Sequence, residues 1–161
     1  MPISLAVLAL DQFTKHLITS NMALGQSIPE QGFLRITYTY NTGALFGLFP
    51  NQTFVLTLAS FVGIIFLFFY YRIHPFPSIL MRLSLGMQLG GAIGNLIDRV
   101  RLGHVTDFID VGPWPVFNLA DSSIVVGLFI IGFVVLFLDK GQEKIQPTKE
   151  EASKTNLPPS K

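Results

Sequence analysis

The sequence predicts an all-α membrane protein with four transmembrane helices and a small extracytoplasmic β-sheet between helices 1 and 2. Half of the 161 residues are hydrophobic and only 13% are charged, which is typical of helical membrane proteins. Several apolar runs approach the roughly 20 residues that cross a bilayer. After the first run, apolar and polar residues alternate with the period of a strand. These observations indicate one membrane domain, residues 1–138, and a polar tail, residues 139–161.

Three spans are strongly apolar and a fourth is more polar. The strong spans are residues 54–71, 79–97 and 119–138. The fourth, residues 3–19, begins like a signal-peptide core but has no small-residue cleavage site, so we expect it to be retained. Its Asp11 and Lys15 are four residues apart with the acid first, which favours an ion pair on one helix face.

Lysine and arginine residues near the span ends predict that both chain termini are cytoplasmic. Arg72 and Arg82 flank the middle turn, and the last span is followed by Lys140, Lys144, Lys149 and Lys154. The segment between spans 1 and 2 and the loop over residues 98–118 then face outward. This topology brings three acids to a similar depth near the outer leaflet: Asp98, Asp107 and Asp121.

The first outer segment carries strand and turn signals. Residues 33–40 place Leu34, Ile36 and two tyrosines on one face, which is the pattern of a half-buried strand. Residues 41–43 supply turn chemistry, and we expect the apolar residues 44–49 to lie on the bilayer surface. Residues 139–161 are polar, with little to bury, and we expect them to be disordered.

A series of small residues in the third span predicts close helix packing. Gly86, Gly90 and Gly94 recur every four residues, and Asp98 continues the series. Small residues at this spacing let helix backbones approach each other. We therefore interpret Asp98 as structural, with a partner such as Arg99 or a side chain of the first span, because a charge in a tight interface needs one.

Acids at the start of the fourth span and in the preceding loop are candidate functional groups. Asn118 and Asp121 share one helix face, where Asp121 could simply cap the helix N-terminus or, being close to apolar residues, could be functional. Asp107 and Asp110 lie three apart in the outer loop. Composition does not choose between these two loop acids.

Two carboxylates that converge in a partly dry site would support peptide hydrolysis, because one stays protonated while the other acts as a base. This chemistry needs neither a metal nor a nucleophilic side chain. The chain has no cysteine, its three histidines lack ligand spacing, and the serine-hydrolase and zinc-protease motifs are absent. The net charge of +1, with lysines mostly in the tail, gives no basic patch for nucleic acid.

Two other classes of function are consistent with intramembrane acids and a glycine face. One is a small proton- or cation-coupled transporter subunit, since ionisable groups also line ion paths. The other is an assembly protein held together by the glycine face, which would leave the loop acid unexplained.

Five motifs, in order, resemble those of the bacterial lipoprotein signal peptidase family, also called signal peptidase II. They are D-Q-F-T-K at 11–15, N-T-G-A-L-F-G at 41–47, G-G-A-I-G-N-L-I-D-R at 90–99, V-T-D-F at 105–108 and F-N-L-A-D at 117–121. The resemblance covers most of the chain. It implies an aspartyl endopeptidase of the bacterial inner membrane, with Asp107 and Asp121 as the catalytic pair, no metal or other cofactor, and Asp110 outside that pair.

The resemblance also implies the supporting residues and the substrate. The matched supporting or substrate-binding positions are Asp11, Lys15, Asn41, Gly43, Asn95, Asp98, Arg99 and Asn118. Family members cleave prolipoproteins before a lipobox cysteine that carries diacylglyceryl, so membrane lipid and prolipoprotein are the expected partners of a monomer. Residues 33–49 correspond to the family's β-cradle, and the loop around Trp114 is expected to shield the substrate. The stretch from Asp107 to Asp121 is shorter than in the family pattern, which changes the covering of the site.

Overall fold

The computed structural model describes residues 2–42, 53–73 and 78–138, and within them the chain is mostly helical with one small sheet. The helices are α1 (Pro2–Asn21), α2 (Thr53–Ile73), α3 (Ile79–Leu102) and α4 (Leu119–Phe133), the last continuing as a π-helical segment at Val134–Leu138. The strands are β1 (Ser27–Ile28), β2 (Arg35–Asn41) and β3 (Val105–Asp110). The predicted helical fold with a small sheet is confirmed. The predictions for Gly43, for residues 44–49 and for the tail lie outside the described residues.

Helix α3 lies at the centre and contacts α1, α2 and α4. Its glycines allow this: a Cβ at Gly90 would come within 2.6 Å of the Ser4 carbonyl oxygen in α1. On the other side, a Cβ at Gly91 would come within 2.5 Å of the Ala120 carbonyl oxygen in α4. The packing role predicted for the glycine series is therefore confirmed, and it extends to a second helix.

The sheet draws its strands from two separate segments of the chain, which corrects the sequence prediction. Its order is β1-β2-β3, all antiparallel, and β3 comes from the segment between α3 and α4. Sequence patterns indicated an outer loop there. The strand was missed because its first four residues are all buried, so no polar-apolar alternation marks it.

Strand β2 does alternate as predicted, but its apolar face is the more exposed one. Leu34 just before the strand is 65% exposed and Tyr40 is 47% exposed, whereas Arg35 and Thr37 are half-buried. The polar face of β2 is turned toward a buried carboxylate, Asp110.

Burial in this bundle is inverted relative to a water-soluble protein. Among the described residues, the buried set contains more polar and charged side chains than apolar ones, while large apolar side chains cover the outside of α1, α2 and α4. By length and composition, one described helix, Leu119–Phe137, meets the requirements of a membrane span, and Phe54–Tyr70 is a shorter apolar helix. The charged residues of α1 and the polar residues of α3 lower the average hydropathy of those two helices.

Candidate active site

Polar side chains from four elements converge at one end of the helical bundle, beside the sheet. They are Asp11 and Lys15 of α1, Asn95 and Asp98 of α3, Asp107 of β3, and Asn118 and Asp121 at the start of α4. All are buried except Asp121, which is half-buried. The structure thus brings together acids that are far apart in sequence.

Asn118 connects the two predicted catalytic acids. Its side-chain nitrogen donates to Asp107 Oδ1 at 2.7 Å. Its side-chain oxygen accepts from the Asp121 backbone N–H at 2.9 Å, and its own backbone N–H donates to Asp121 Oδ2 at 3.3 Å. The last two bonds form a capping box, so Asp121 has the predicted capping role. Through Asn118 it is also linked to Asp107, as the predicted convergence of acids requires.

Asn95 extends this link into α3. Its side-chain nitrogen donates to Asp121 Oδ1 at 2.8 Å. Its side-chain oxygen accepts from Asn118 Nδ2 at 3.1 Å and from Lys15 Nζ at 3.0 Å. Because each atom of the amide is used, Asn95 has one allowed orientation, and that orientation fixes the Asp121 carboxylate.

Lys15 forms ion pairs with two buried acids that flank the site. Its Nζ lies 2.9 Å from Asp11 Oδ2 and 3.0 Å from Asp98 Oδ2. The predicted pair within α1 is confirmed, and the partner of Asp98 is the first-span alternative, Lys15. Asp98 Oδ2 also accepts from the Thr106 backbone N–H at 3.1 Å, which ties α3 to the strand that carries Asp107.

Arg99 hydrogen-bonds a residue of α2, whereas the sequence suggested it as a partner of Asp98. Its guanidinium donates to Ser60 Oγ of α2 at 3.4 Å, and its charge interacts with Asp98, Asp107 and Asp121. Arg99 therefore acts as a nearby positive charge for the acid cluster and as a contact between α3 and α2.

Gln12 is a member of this cluster that sequence reasoning did not single out. Its side-chain nitrogen lies within 3.3 Å of the Gly94 carbonyl oxygen, and it donates to Asp98 Oδ1 at 3.1 Å and Asp11 Oδ2 at 3.2 Å. The available signal was its place in the D-Q-F-T-K motif, directly after Asp11.

The structure distinguishes Asp107 from Asp110, the two loop acids between which composition does not choose. Asp107 faces Asn118, whereas Asp110 faces Arg35 Nη2 at 2.7 Å and Thr37 Oγ1 at 2.7 Å. The Thr37 hydroxyl, aided by the Gly112 N–H and by Arg35, lowers the pKa of Asp110. Asp110 is therefore a fixed anion in an ion pair.

Asp107 has the opposite environment. Burial, reinforced by the charge of Asp121, raises the pKa of Asp107 to about 7. Hydrogen bonds from Asn118 and Asn41 and the charge of Lys15 oppose this rise without cancelling it. Asp107 can therefore hold a proton near neutral pH, as a general acid must.

This arrangement supports hydrolysis by acid and base groups. One carboxyl is poised to keep a proton, and the second, that of Asp121, accepts hydrogen bonds from Asn95 and from the Asn118 backbone N–H. Among the described residues, no group of three His, Asp or Glu side chains is arranged to hold a metal ion.

Comparisons with known proteins agree with this interpretation. A family model described as signal peptidase (SPase) II matches residues 3–137. The lipoprotein signal peptidase of Moorella thermoacetica is 44% identical, over 90% of this chain and 97% of its own. That of Halothermothrix orenii is 42% identical, over 88% of this chain and 94% of its own.

Solved structures show the same fold. A bacterial membrane enzyme determined by the in meso method at 2.3 Å resolution superposes with a TM-score of 0.80. It is 32% identical and the match covers 91% of this chain and 92% of that one. A second bacterial membrane enzyme structure, at 1.9 Å resolution, gives a TM-score of 0.76 at 32% identity.

Fold and comparisons together define an aspartic peptidase of the bacterial membrane. The match extends over nearly all of the helices and all of the sheet. The chain belongs to the signal peptidase II family, whose curated relatives are lipoprotein signal peptidases. The resemblance predicted from the five motifs is confirmed.

Proposed function

We propose that this chain removes signal peptides from prolipoproteins whose lipobox cysteine carries diacylglyceryl, cleaving the bond just before that cysteine. The observation that carries the proposal is the Asn118 link: one side chain contacts two acids from different elements, Asp107 and Asp121. Relatives named lipoprotein signal peptidases supply the substrate class.

In the proposed mechanism, Asp121 is the base and Asp107 is the acid. Asp121 accepts hydrogen bonds from Asn95 and from the Asn118 backbone, which favour its ionised form. It takes a proton from water as the water oxygen attacks the scissile carbonyl carbon. Asp107, protonated near neutral pH, gives its proton to the leaving amide nitrogen, and the C–N bond breaks.

The remaining polar residues position this pair. Asn41, Asn95 and Asn118 hold the two carboxyl groups through hydrogen bonds. Lys15 forms ion pairs with Asp11 and Asp98 beside this pair, and Arg99 adds a second positive charge. Gly43 completes the proposed supporting set from the sequence motif alone.

We also propose that all four helices span the inner membrane, with both termini cytoplasmic and the site near the outer leaflet. The apolar outer surfaces of α1, α2 and α4 support this, as does the 24-residue length of α3, which corresponds to about 36 Å. Lysine and arginine near the span ends support the orientation. Residues 1–138 form the catalytic domain and residues 139–161 are dispensable.

A cleavage assay tests the function and a labelling experiment tests the topology. Purified protein in lipid is incubated with diacylglyceryl-modified prolipoprotein, and release of the signal peptide is followed. Asp107→Asn and Asp121→Asn should abolish release while leaving folded protein, since an amide is neither acid nor base. In whole cells, the single-cysteine variant Trp114→Cys should react with an impermeant label from the periplasm, and His74→Cys should not.

Folded protein that releases no signal peptide, or substantial activity in either Asp→Asn variant, would overturn the assigned chemistry. A periplasmic His74 would place the acids on the cytoplasmic side and contradict the substrate assignment.

A further inference from the structure

The strand that carries Asn41 does not pair uniformly with the strand that carries Asp107. Near its start, β2 pairs Arg35 with Asp110 and Ile36 with Ile109. From Thr39 onward the pairing is shifted by one residue, so that Thr39 lies opposite Asp107 and Asn41 opposite Val105. Two residues of β2, Thr37 and Tyr38, therefore occupy the space opposite one residue of β3, which is a β-bulge.

This one-residue shift decides which face of the sheet Asn41 occupies. Side chains alternate between faces along a strand, so a change of register by one residue moves a side chain to the other face. Without the bulge, the pairing that begins at Arg35 would place Asn41 opposite His104, on the face away from Asp107. With the bulge, Asn41 lies on the Asp107 face and hydrogen-bonds that carboxyl group.

Asp110 contacts β2 both before the bulge and within it. Its Oδ2 accepts from Arg35 just before the bulge, at 3.1 Å from Nε and 2.7 Å from Nη2. The same oxygen accepts from Thr37 Oγ1, inside the bulge, at 2.7 Å. Its Oδ1 accepts from the Gly112 backbone N–H at 3.0 Å, which anchors the carboxylate to its own strand end.

We propose that Asp110 is a positioning residue for cleavage: by holding Arg35 and Thr37 it fixes the bulge that presents Asn41 to Asp107. The inference rests on the proposed catalytic role of Asp107. This role accounts for Asp110, the second acid of the D-F-I-D sequence, which is not part of the proposed catalytic pair. It also accounts for the Arg35–Asp110 ion pair, which lies on the face of the sheet opposite Asp107.

The charge on Asp107 provides a readout that general loss of structure would not mimic. Asp107 is influenced by Asp121 from α4, Lys15 from α1 and Arg99 from α3, and by the hydrogen bonds of Asn118 and Asn41. None of these charges belongs to the Arg35–Asp110 pair. Release of Asn41 would remove a hydrogen bond that favours the ionised form, so the alkaline limb of the cleavage profile would move to higher pH.

The test compares Asp110→Asn and Thr37→Val with Asn41→Ala in the prolipoprotein cleavage assay. Asp110→Asn removes the charge that pairs with Arg35, and Thr37→Val removes the donor within the bulge at constant shape. Each should lower kcat roughly fivefold to tenfold, the effect of one lost hydrogen bond, with KM nearly unchanged. Each should also move the alkaline limb in the same direction as Asn41→Ala.

A double variant tests whether the effect passes through Asn41. Asp110→Asn combined with Asn41→Ala should be no slower than Asn41→Ala alone, because residues that act through one contact are not additive. Arg35→Lys should retain most activity, since it keeps the charge. Glu30→Gln removes an exposed acid from the segment between β1 and β2 and serves as the control, with no expected change in kcat or pH profile.

An unchanged alkaline limb in both Asp110→Asn and Thr37→Val would overturn the inference, as would fully additive losses in the double variant. If Asp110→Asn does not fold, Thr37→Val decides the matter, because it introduces no unpaired charge. Asp107→Asn in the same series reports on the proposed function itself, because cleavage by that variant would refute the catalytic pair of Asp107 and Asp121. An inactive Asp107→Asn together with an Asp110→Asn that cleaves normally would refute only the positioning role.

Discussion

The carboxylate of Asp11 in α1 accepts a 3.0 Å hydrogen bond from the backbone N–H of Ala120 in α4, a residue 109 positions later in the chain. Both residues are fully buried. The first N–H groups of a helix have no partner within the helix, so α1 supplies a cap to α4 in addition to the cap from Asn118. The first helix thereby fixes the start of the helix that carries Asp121.

The charge balance around Asp11 predicts that Lys15→Met destabilises the protein more than Asp11→Asn. Lys15 forms ion pairs with both Asp11 and Asp98, so its loss leaves two buried acids unpaired, while Asp11→Asn leaves one acid and one cation. Removing one partner of a buried pair costs about 3–5 kcal/mol. Thermal unfolding in detergent measures the difference. Equal Tm values for the two variants would contradict the assignment of Lys15 as the shared counter-ion.

Asp98→Ala should lower folded yield as well as activity. The carboxylate of Asp98 accepts from Gln12, Lys15 and the Thr106 backbone, so its removal leaves several buried donors without a partner. Each such group costs about 1–3 kcal/mol. Folded yield and Tm are measured beside cleavage. Normal stability with no cleavage would move Asp98 from support to the reacting groups.

Local patterns in the sequence were sufficient to predict the helices and the contacts that depend on helical spacing. The spacing of Asp11 and Lys15 gave their ion pair, and the glycine series gave the face of α3 that packs on α1. Both depend on one helical period, which can be counted along the chain.

Long-range pairing was not accessible in the same way. Asp107 and Asp110 have equivalent sequence surroundings, and only the pairing of β3 with β2 turns one toward Asn118 and the other toward Arg35. The pairing partner and the bulge are set by tertiary contacts, not by alternation in β3, whose first four residues are all buried. The five motifs distinguish Asp107 from Asp110 only because they resemble the motifs of a known family.

Gly94→Ala should destabilise the bundle, and Gly63→Ala should not. A Cβ at Gly94 would lie 2.5 Å from Asp11 Oδ2, so this carboxylate would have to shift away from its contacts with Lys15 and the Ala120 N–H. Overpacking of this kind costs about 1–3 kcal/mol. Gly63 lies in α2 with nothing within 4 Å of its Cβ position, which makes it the matched control. Alanine favours a helix over glycine, so Gly63→Ala should leave Tm unchanged or raise it slightly. A similar loss of Tm in both variants would show that close approach at Gly94 does not explain the effect.

Asp107→Asn should stabilise the folded protein at neutral and alkaline pH. The pKa of Asp107 rises from 3.8 to about 7 on folding, so between these values the folded chain holds a proton that the unfolded chain has released. Stability therefore falls as pH rises through this window, by up to about 4 kcal/mol. The variant lacks this group, so its advantage over the parent protein should grow from pH 4 to 7 and then remain constant. Unfolding measured across that range checks the prediction, and an advantage independent of pH would refute it.

Cleavage should decline as pH rises through about 7, because Asp107 then loses the proton it gives to the leaving nitrogen. Burial and the Asp121 charge raise the pKa of Asp107, so the limb lies well above that of an ordinary carboxyl group. The two acids share one site, and the measured limb belongs to the pair. The measurement is kcat at saturating prolipoprotein from pH 5.5 to 9, with enzyme returned from pH 9 to pH 7 to exclude irreversible loss. A rate that stays constant to pH 9 would show that Asp107 does not supply the proton, and the roles of the two acids would have to be exchanged or replaced.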